Sequence, residues 1–188
     1  CKVRNGLDAG VLVRQRAEGV FQECEIFCNK NSGVQVREGA RPVFKKCQMY
    51  DGGKGGIFIY QQGEGLFEEC MVYGNARSGV IAKDPGTHPV FKQCQFVNGD
   101  DAGVFVLQQA QGDFENCLIS SNRLSGVEVK EGGQPVFTKC IINNGATAGV
   151  YVENTSGALF DRCQINNNAT SGVLVGNDGK PEMRDCNI

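Results

Sequence analysis

The residues of this 188-residue chain that could do chemistry are ten cysteines, one histidine and a few paired carboxylates. Ten cysteines suggest disulfides or a metal. Nine of them form a ladder, Cys1, Cys24, Cys47, Cys70, Cys94, Cys117, Cys140, Cys163 and Cys186, and only Cys24 and Cys28 lie close together in sequence. Structural zinc draws close CxxC-type pairs with histidine nearby, and that spacing is missing. Side chains repeated in parallel register would keep their Cβ atoms near a strand spacing of ~4.8 Å, longer than the ~3.8 Å of a relaxed disulfide. The ladder is therefore expected to be a core column of small thiols, with no disulfide, metal or cofactor. Nine unpaired thiols favour a reducing compartment and hence a cytoplasmic or nuclear location. The sequons at Asn154 and Asn168 point weakly the other way.

Acid–base cleavage of a sugar needs two carboxylates at a set separation. Glu23 and Glu69 are equivalent residues two repeats apart, but Lys45 and Lys46 stand between them, so they belong to a solvated charge ladder. Asp100 and Asp101 sit beside Gly99 and suit a turn, with no partnering His or Arg apparent in the following repeat. His88 lies in KDPGTHP, residues 83–89, inside the only repeat that is one residue longer than the others. Pro-Gly followed by a pre-proline residue is ordinary turn chemistry. No Ser-His-Asp set or phosphate-cradling loop occurs elsewhere, and the chain is expected not to be an enzyme.

These residues are positioned by a repeat. Coils begin at Gly10, Gly33, Gly56, Gly79, Gly103, Gly126, Gly149 and Gly172, a spacing of 23 residues except for one of 24. The first and third residues after each glycine are β-branched or Ala, as in Val11 with Val13 and Ile57 with Ile59, the period-2 mark of a short strand. A second strand carries Phe21, Phe44, Phe67, Phe91, Phe114, Phe137, Phe160 and Met183, each three residues before a ladder cysteine. A third carries Ile26, Met49, Val72 and their equivalents, two residues beyond that cysteine. Three short strands per coil predict an all-β fold, a right-handed single-stranded parallel β-helix of about eight coils, pectin-lyase-like, as one domain over residues 1–188. A start at Cys1 and an end inside a repeat suggest a piece excised from a longer chain, whose flanking domains would cap the ends.

Five residues past each cysteine stands Asn29, Gly52, Asn75, Gly99, Asn122, Gly145 or Asn168. Asn and Gly tolerate positive φ, so one left-handed residue per coil is expected at this position. Alternate coils carry Pro42, Pro89, Pro135 and Pro181 before the second strand, which makes the true period two coils. Charges before the cysteines alternate as well, from Lys45-Lys46 to Glu68-Glu69, which favours correct register over a slipped one.

Net charge is −2 with 19 basic and 21 acidic residues well mixed, which is no footprint for nucleic acid. No apolar run approaches the ~20 residues that span a bilayer. Two outward columns are more apolar than a solvated face should be. The first holds Leu12, Gln35, Phe58, Ile81, Phe105, Glu128, Tyr151 and Leu174; the second begins Phe27, Tyr50, Tyr73. Outward apolar surface marks a partner site or a covered face. Leu12, Phe58, Ile81, Phe105 and Tyr151, with Phe27, Tyr50 and Tyr73, are accordingly the candidate protein-binding residues.

Residues 55–80, GGIFIYQQGEGLFEECMVYGNARSGV, and the following coil with Pro89-Val90-Phe91, resemble the paired CASH-type β-helix repeats of F-box proteins. The resemblance spans residues 6–188 but places Cys where such repeats more often have Asn, and no F-box helix is present. It implies the substrate-recognition region of a ubiquitin-ligase adaptor. A non-catalytic recognition scaffold is thus the leading expectation. The alternatives are a glycan-binding or glycan-cleaving module, since the fold class includes many polysaccharide lyases and hydrolases, and an element that stacks end to end through its open strand edges.

Overall fold

A computed structural model describes residues 1–188. The chain winds through eight coils that lay down three parallel eight-stranded sheets. The first sheet runs from Val11–Val13 to Val173–Val175, the second from Val20–Gln22 to Lys180–Arg184, and the third from Lys2–Arg4 to Gln164–Asn166. Every strand pairs in parallel with its equivalent one coil away, as in Val34 opposite Ile57 and Phe44 opposite Phe67. No helix is long and apolar enough to cross a membrane.

The core follows from alternation along each strand. Val34 and Val36 point inward and are fully buried, as are Ile57 and Ile59 one coil on. Such residues join one continuous cluster of 36 buried side chains. Within it the phenylalanines of the second sheet stack from Phe21 to Phe160, with ring centroids between 4.5 Å (Phe21 to Phe44) and 5.1 Å (Phe44 to Phe67). The rung spacing of ~4.8 Å imposes this distance, so a ladder of identical rings in register is self-selecting.

Left-handed residues are more numerous than expected and differently placed. Asn29, Asn75 and Gly52 do not have positive φ; the residue before each does, with Cys28 at 52°, Asp51 at 51° and Gly74 at 60°. The residues preceding the ladder cysteines, such as Glu23 at 52° and Lys46 at 51°, make a second left-handed corner. Asn is required at its position for its side chain. Asn75 accepts a hydrogen bond from Gly52 N–H at 2.9 Å and donates to the Met49 carbonyl at 3.2 Å. Asn122 does the same for Gly99 at 3.0 Å and Phe96 at 3.1 Å. The partner must be glycine, because a Cβ on Gly52 would stand 2.9 Å from Asn75 Oδ1. The two-coil period therefore has a buried cause. The charge ladder adds to it at the surface, where Lys45 meets Glu68 at 2.9 Å and Lys46 meets Glu69 at 3.8 Å.

All ten cysteines are free thiols. Each buried one donates to main-chain carbonyls, as Cys70 does to Phe44 at 3.5 Å and to Glu68 at 3.4 Å. Bonding to the neighbouring sulfur and burial together raise the pKa of Cys140 to about 12, so this thiol keeps its proton.

Candidate functional site

The pleat of the first sheet turns one residue per coil outward between two buried ones. Phe58, Ile81, Phe105 and Tyr151 are half-buried there, Leu12 is exposed, and Gln35 is only 8% exposed. Over the first four coils this column forms one wall of a groove of about 670 Å³. Residues two places along the strands, Arg37 and Tyr60, extend it, and the turns before the strands add Asp8, Asn31, Lys54 and Arg77. The repeat thus brings Asp8, Asn31, Lys54 and Arg77 into one row, although 23 residues separate each from the next.

Three cations face one carboxylate in this groove. Asp8 is engaged by Asn31 Nδ2 at 2.8 Å, whereas Lys54 and Arg77 form no ion pair. Arg37 Nε lies 3.4 Å from Glu38 Oε1 but is buried without a hydrogen bond. Phe58 and Tyr60 stack at 4.4 Å, with Arg37 5.9 Å from the Tyr60 centroid and Lys83 5.8 Å from that of Phe58. Gln35 and Ser32, both more than nine-tenths buried, also line the groove, where Arg37 Nε is the buried polar atom left without a hydrogen bond. Buried polar groups without partners await a ligand or water.

Further along the same face, Lys130 Nζ sits 3.2 Å from Glu128 and 3.3 Å from Glu153. Its ammonium also lies 5.0 Å from the Tyr151 ring centroid and 5.8 Å from that of Phe105. Burial works against the charge on Lys130, but the two carboxylates outweigh it and its pKa rises. Tyr151 donates its phenol proton to Glu153. That hydrogen bond holds Glu153 below the usual carboxylate range and pushes Tyr151 above the usual phenol range. A proton donor and an ionised acceptor are thereby set side by side, the separation from which acid and base roles are assigned.

The aromatic column of the third sheet is arranged differently. Phe27, Tyr50 and Tyr73 stack on one another at 4.8 Å with rings 1° and 7° from parallel. Their faces are occupied by each other, so a ligand meets ring edges only. Arg4 covers the Phe27 end at 5.9 Å.

His88 has a partner that linear inspection missed. Its Nε2 lies 3.0 Å from Asp113 Oδ2, one coil on. The signal was present: the residue before each core phenylalanine is Val20, Val43, Leu66, Val90, Asp113, Val136 or Leu159, and the acid stands out. Asp100, expected to lack a basic partner in the next coil, has one in Arg123 at 3.2 Å. No three His, Cys, Asp or Glu residues converge on a metal-ligating point.

The model of the family described as right-handed β-helix region matches residues 1–123 and 97–188. The chain belongs to the right-handed β-helix family. No curated protein matches the sequence. Among solved structures, this β-helix resembles a T265N mutant of the periplasmic alginate epimerase AlgG at TM-score 0.85 and 12% identity, over 95% of this chain and 47% of that one. It resembles the A-module of the Azotobacter vinelandii mannuronan C-5 epimerase AlgE6 at TM-score 0.82 and 14% identity, over 99% and 56%. It also resembles pectate lyase Pel9A at TM-score 0.60 and 13% identity, over 85% and 56%. The chain spans about half the length of these structures, and at such identities the likeness is one of fold.

Two expectations are corrected by these neighbours. They are epimerases and a lyase, against the expectation that the chain is not an enzyme. That expectation rested on the lack of a local catalytic motif, but a β-helix pairs residues from different coils, as His88 and Asp113 show. Neighbours named as periplasmic are likewise at odds with a cytoplasmic or nuclear location. Free thiols do not require a reducing compartment here, because seven of the cysteines are buried and shielded from oxidant. The family match supports the β-helix repeat and not its F-box refinement.

Proposed function

We propose that this β-helix acts on an acidic polysaccharide laid along the outer face of the first sheet. The observation that carries the reading is the groove of coils one to four, where Arg37, Lys54 and Arg77 outnumber Asp8 around the Phe58–Tyr60 pair and Lys54 and Arg77 have no ion-pair partner. Cations bind carboxylate or sulfate groups, the edges of the stacked Phe58 and Tyr60 rings give apolar contact to a sugar, and Gln35 with Ser32 offers hydrogen bonds to hydroxyls. Downstream on the same face, Tyr151 and Glu153 are the candidate proton carriers, and Lys130 is the cation that stabilises developing negative charge. Neighbours that are alginate and mannuronan epimerases and a pectate lyase support a glycan-acting reading.

The test is incubation of the purified chain with acidic and neutral polysaccharides, products being followed by NMR and by absorbance of unsaturated ends. Turnover of an acidic polymer that is lost in Tyr151→Phe is the expected result; no binding to any glycan would sink the reading. A protein-recognition role for the outward apolar residues is a second reading, favoured by the exposed Leu12 and Leu174. Loss of a captured protein partner in Phe58→Ala with Phe105→Ala, with glycan turnover intact, would support it.

A further inference from the structure

The outer face of the second sheet differs in kind from the groove just described. Its central outward column is aliphatic, with Leu66 and Val90 on one side of Asp113 and Val136 and Leu159 on the other. Its aromatic rings all belong to the buried phenylalanine stack. A depression of about 330 Å³ lies over Val43, Leu66 and Val90 and is edged by His88, Lys92 and the Arg41–Glu64 ion pair. Another of about 390 Å³ lies over Val136 and Leu159. Between them Asp113 interrupts the aliphatic column and holds His88 at 3.0 Å.

We infer that this face is a second active centre, one that hydrolyses carboxylic esters of short aliphatic acyl groups. The pairing of Nε2 with a carboxylate fixes the imidazole tautomer: Nε2 carries the proton and Nδ1, which has no partner in the protein, is left as the acceptor. That is the arrangement of a general base oriented by an acid. Lys45, two rungs back, is tied to Glu68 at 2.9 Å, but Lys92, which edges the same depression as His88, has no ion-pair partner and is free to face an oxyanion. An aliphatic floor without aromatic rings suits an acyl chain better than a sugar.

The step balances without a cofactor. Water gives a proton to His88 Nδ1 as its oxygen bonds to the acyl carbon, forming a tetrahedral oxyanion beside Lys92. Collapse breaks the bond to the alcohol oxygen, which takes the proton back from His88, leaving acid and alcohol. The inference stands apart from the glycan reading, because it uses a different sheet and different residues.

The test is pH-stat hydrolysis of ethyl acetate and ethyl butyrate by the full chain, after alkylation of the exposed Cys1 and Cys28 to remove their thiolates as nucleophiles. Hydrolysis above the buffer rate is expected, falling by roughly 100-fold in His88→Gln, the usual scale for losing a positioned base. Asp113→Asn is expected to lower kcat at least tenfold and Leu66→Asp to raise KM for the butyrate ester. Wild-type hydrolysis no faster than His88→Gln would overturn the inference. So would an Asp113→Asn rate equal to wild type, since an unoriented surface imidazole would then account for the activity. The three positions are outward-facing, and unchanged thermal unfolding separates these outcomes from misfolding.

Discussion

Asn75 reaches across one coil to accept the Gly52 N–H at 2.9 Å while donating to the Met49 carbonyl at 3.2 Å, so one buried amide ties two turns together. The same device recurs at Asn29 with Gly6, Asn122 with Gly99 and Asn168 with Gly145. Asn75→Ala strands buried main-chain groups, each at a cost of about 1 to 3 kcal/mol. A fall in Tm of ~2 to 4 °C per kcal/mol is expected for a chain of this length. Gly52→Ala should destabilise the wild type by overpacking, by about 1 to 3 kcal/mol, and less so with Asn75→Ala. Additive effects in the double-mutant cycle would contradict the contact.

The phenylalanine stack carries most of the ring burial. Phe91 lies 4.7 Å from Phe67 and 4.9 Å from Phe114, with Phe96 packed edge-on at 5.4 Å. Phe91→Ala is expected to cost about 3 to 5 kcal/mol, measured by urea denaturation. Because coils contact only their neighbours, amide exchange should quicken in coils three to five before it does at the ends.

Binding in the groove should depend on salt. Lys54→Gln and Arg77→Gln each remove an unpaired cation, and each is expected to weaken an acidic oligosaccharide by ~0.2 to 1 kcal/mol at exposed positions. Calorimetric titration at two ionic strengths checks this, since the wild type should lose affinity with salt and the double variant much less. Equal salt dependence in both would place the ligand elsewhere.

Acid should loosen the Lys130 cluster. The folded pKa of Glu153 is depressed, first by the Tyr151 hydrogen bond and also by Lys130. Its stabilisation is therefore present above an unfolded pKa of about 4.3 and lost as pH falls through the lower folded value. Glu153→Gln should lose less stability than wild type between neutral pH and pH ~3, read as urea midpoints. Parallel losses in the two proteins would count against the cluster.

Thiol reactivity should divide by position. Cys1 and Cys28 are exposed, Cys186 is intermediate and the remaining seven are buried. A colorimetric disulfide reagent is expected to modify Cys1 and Cys28 quickly and Cys186 slowly. All ten should react only after unfolding, because the buried thiols are inaccessible to the reagent. Rapid reaction of ten thiols in the native state would refute the column.

The coil length, the strand positions, the inward Phe, Val and Cys ladders and the outward Leu12-to-Leu174 column could all be read from the sequence. Each depends on one-dimensional repetition plus the alternation of a strand, and both are local. The Pro and Asn/Gly alternation showed the two-coil period, but the role assigned to asparagine was misplaced. Whether an Asn turns the chain by its φ or bridges coils by its amide depends on a contact 23 residues away. The encounters that carry chemistry were decided by tertiary structure. His88 meets Asp113 25 residues on, Arg123 meets Asp100 23 residues back, and Lys130 meets Glu153 one coil later. Two of these pairs are equivalent positions on adjacent rungs and the third, His88 with Asp113, is offset between columns, and winding the coils on one another is what brings such residues within hydrogen-bonding reach.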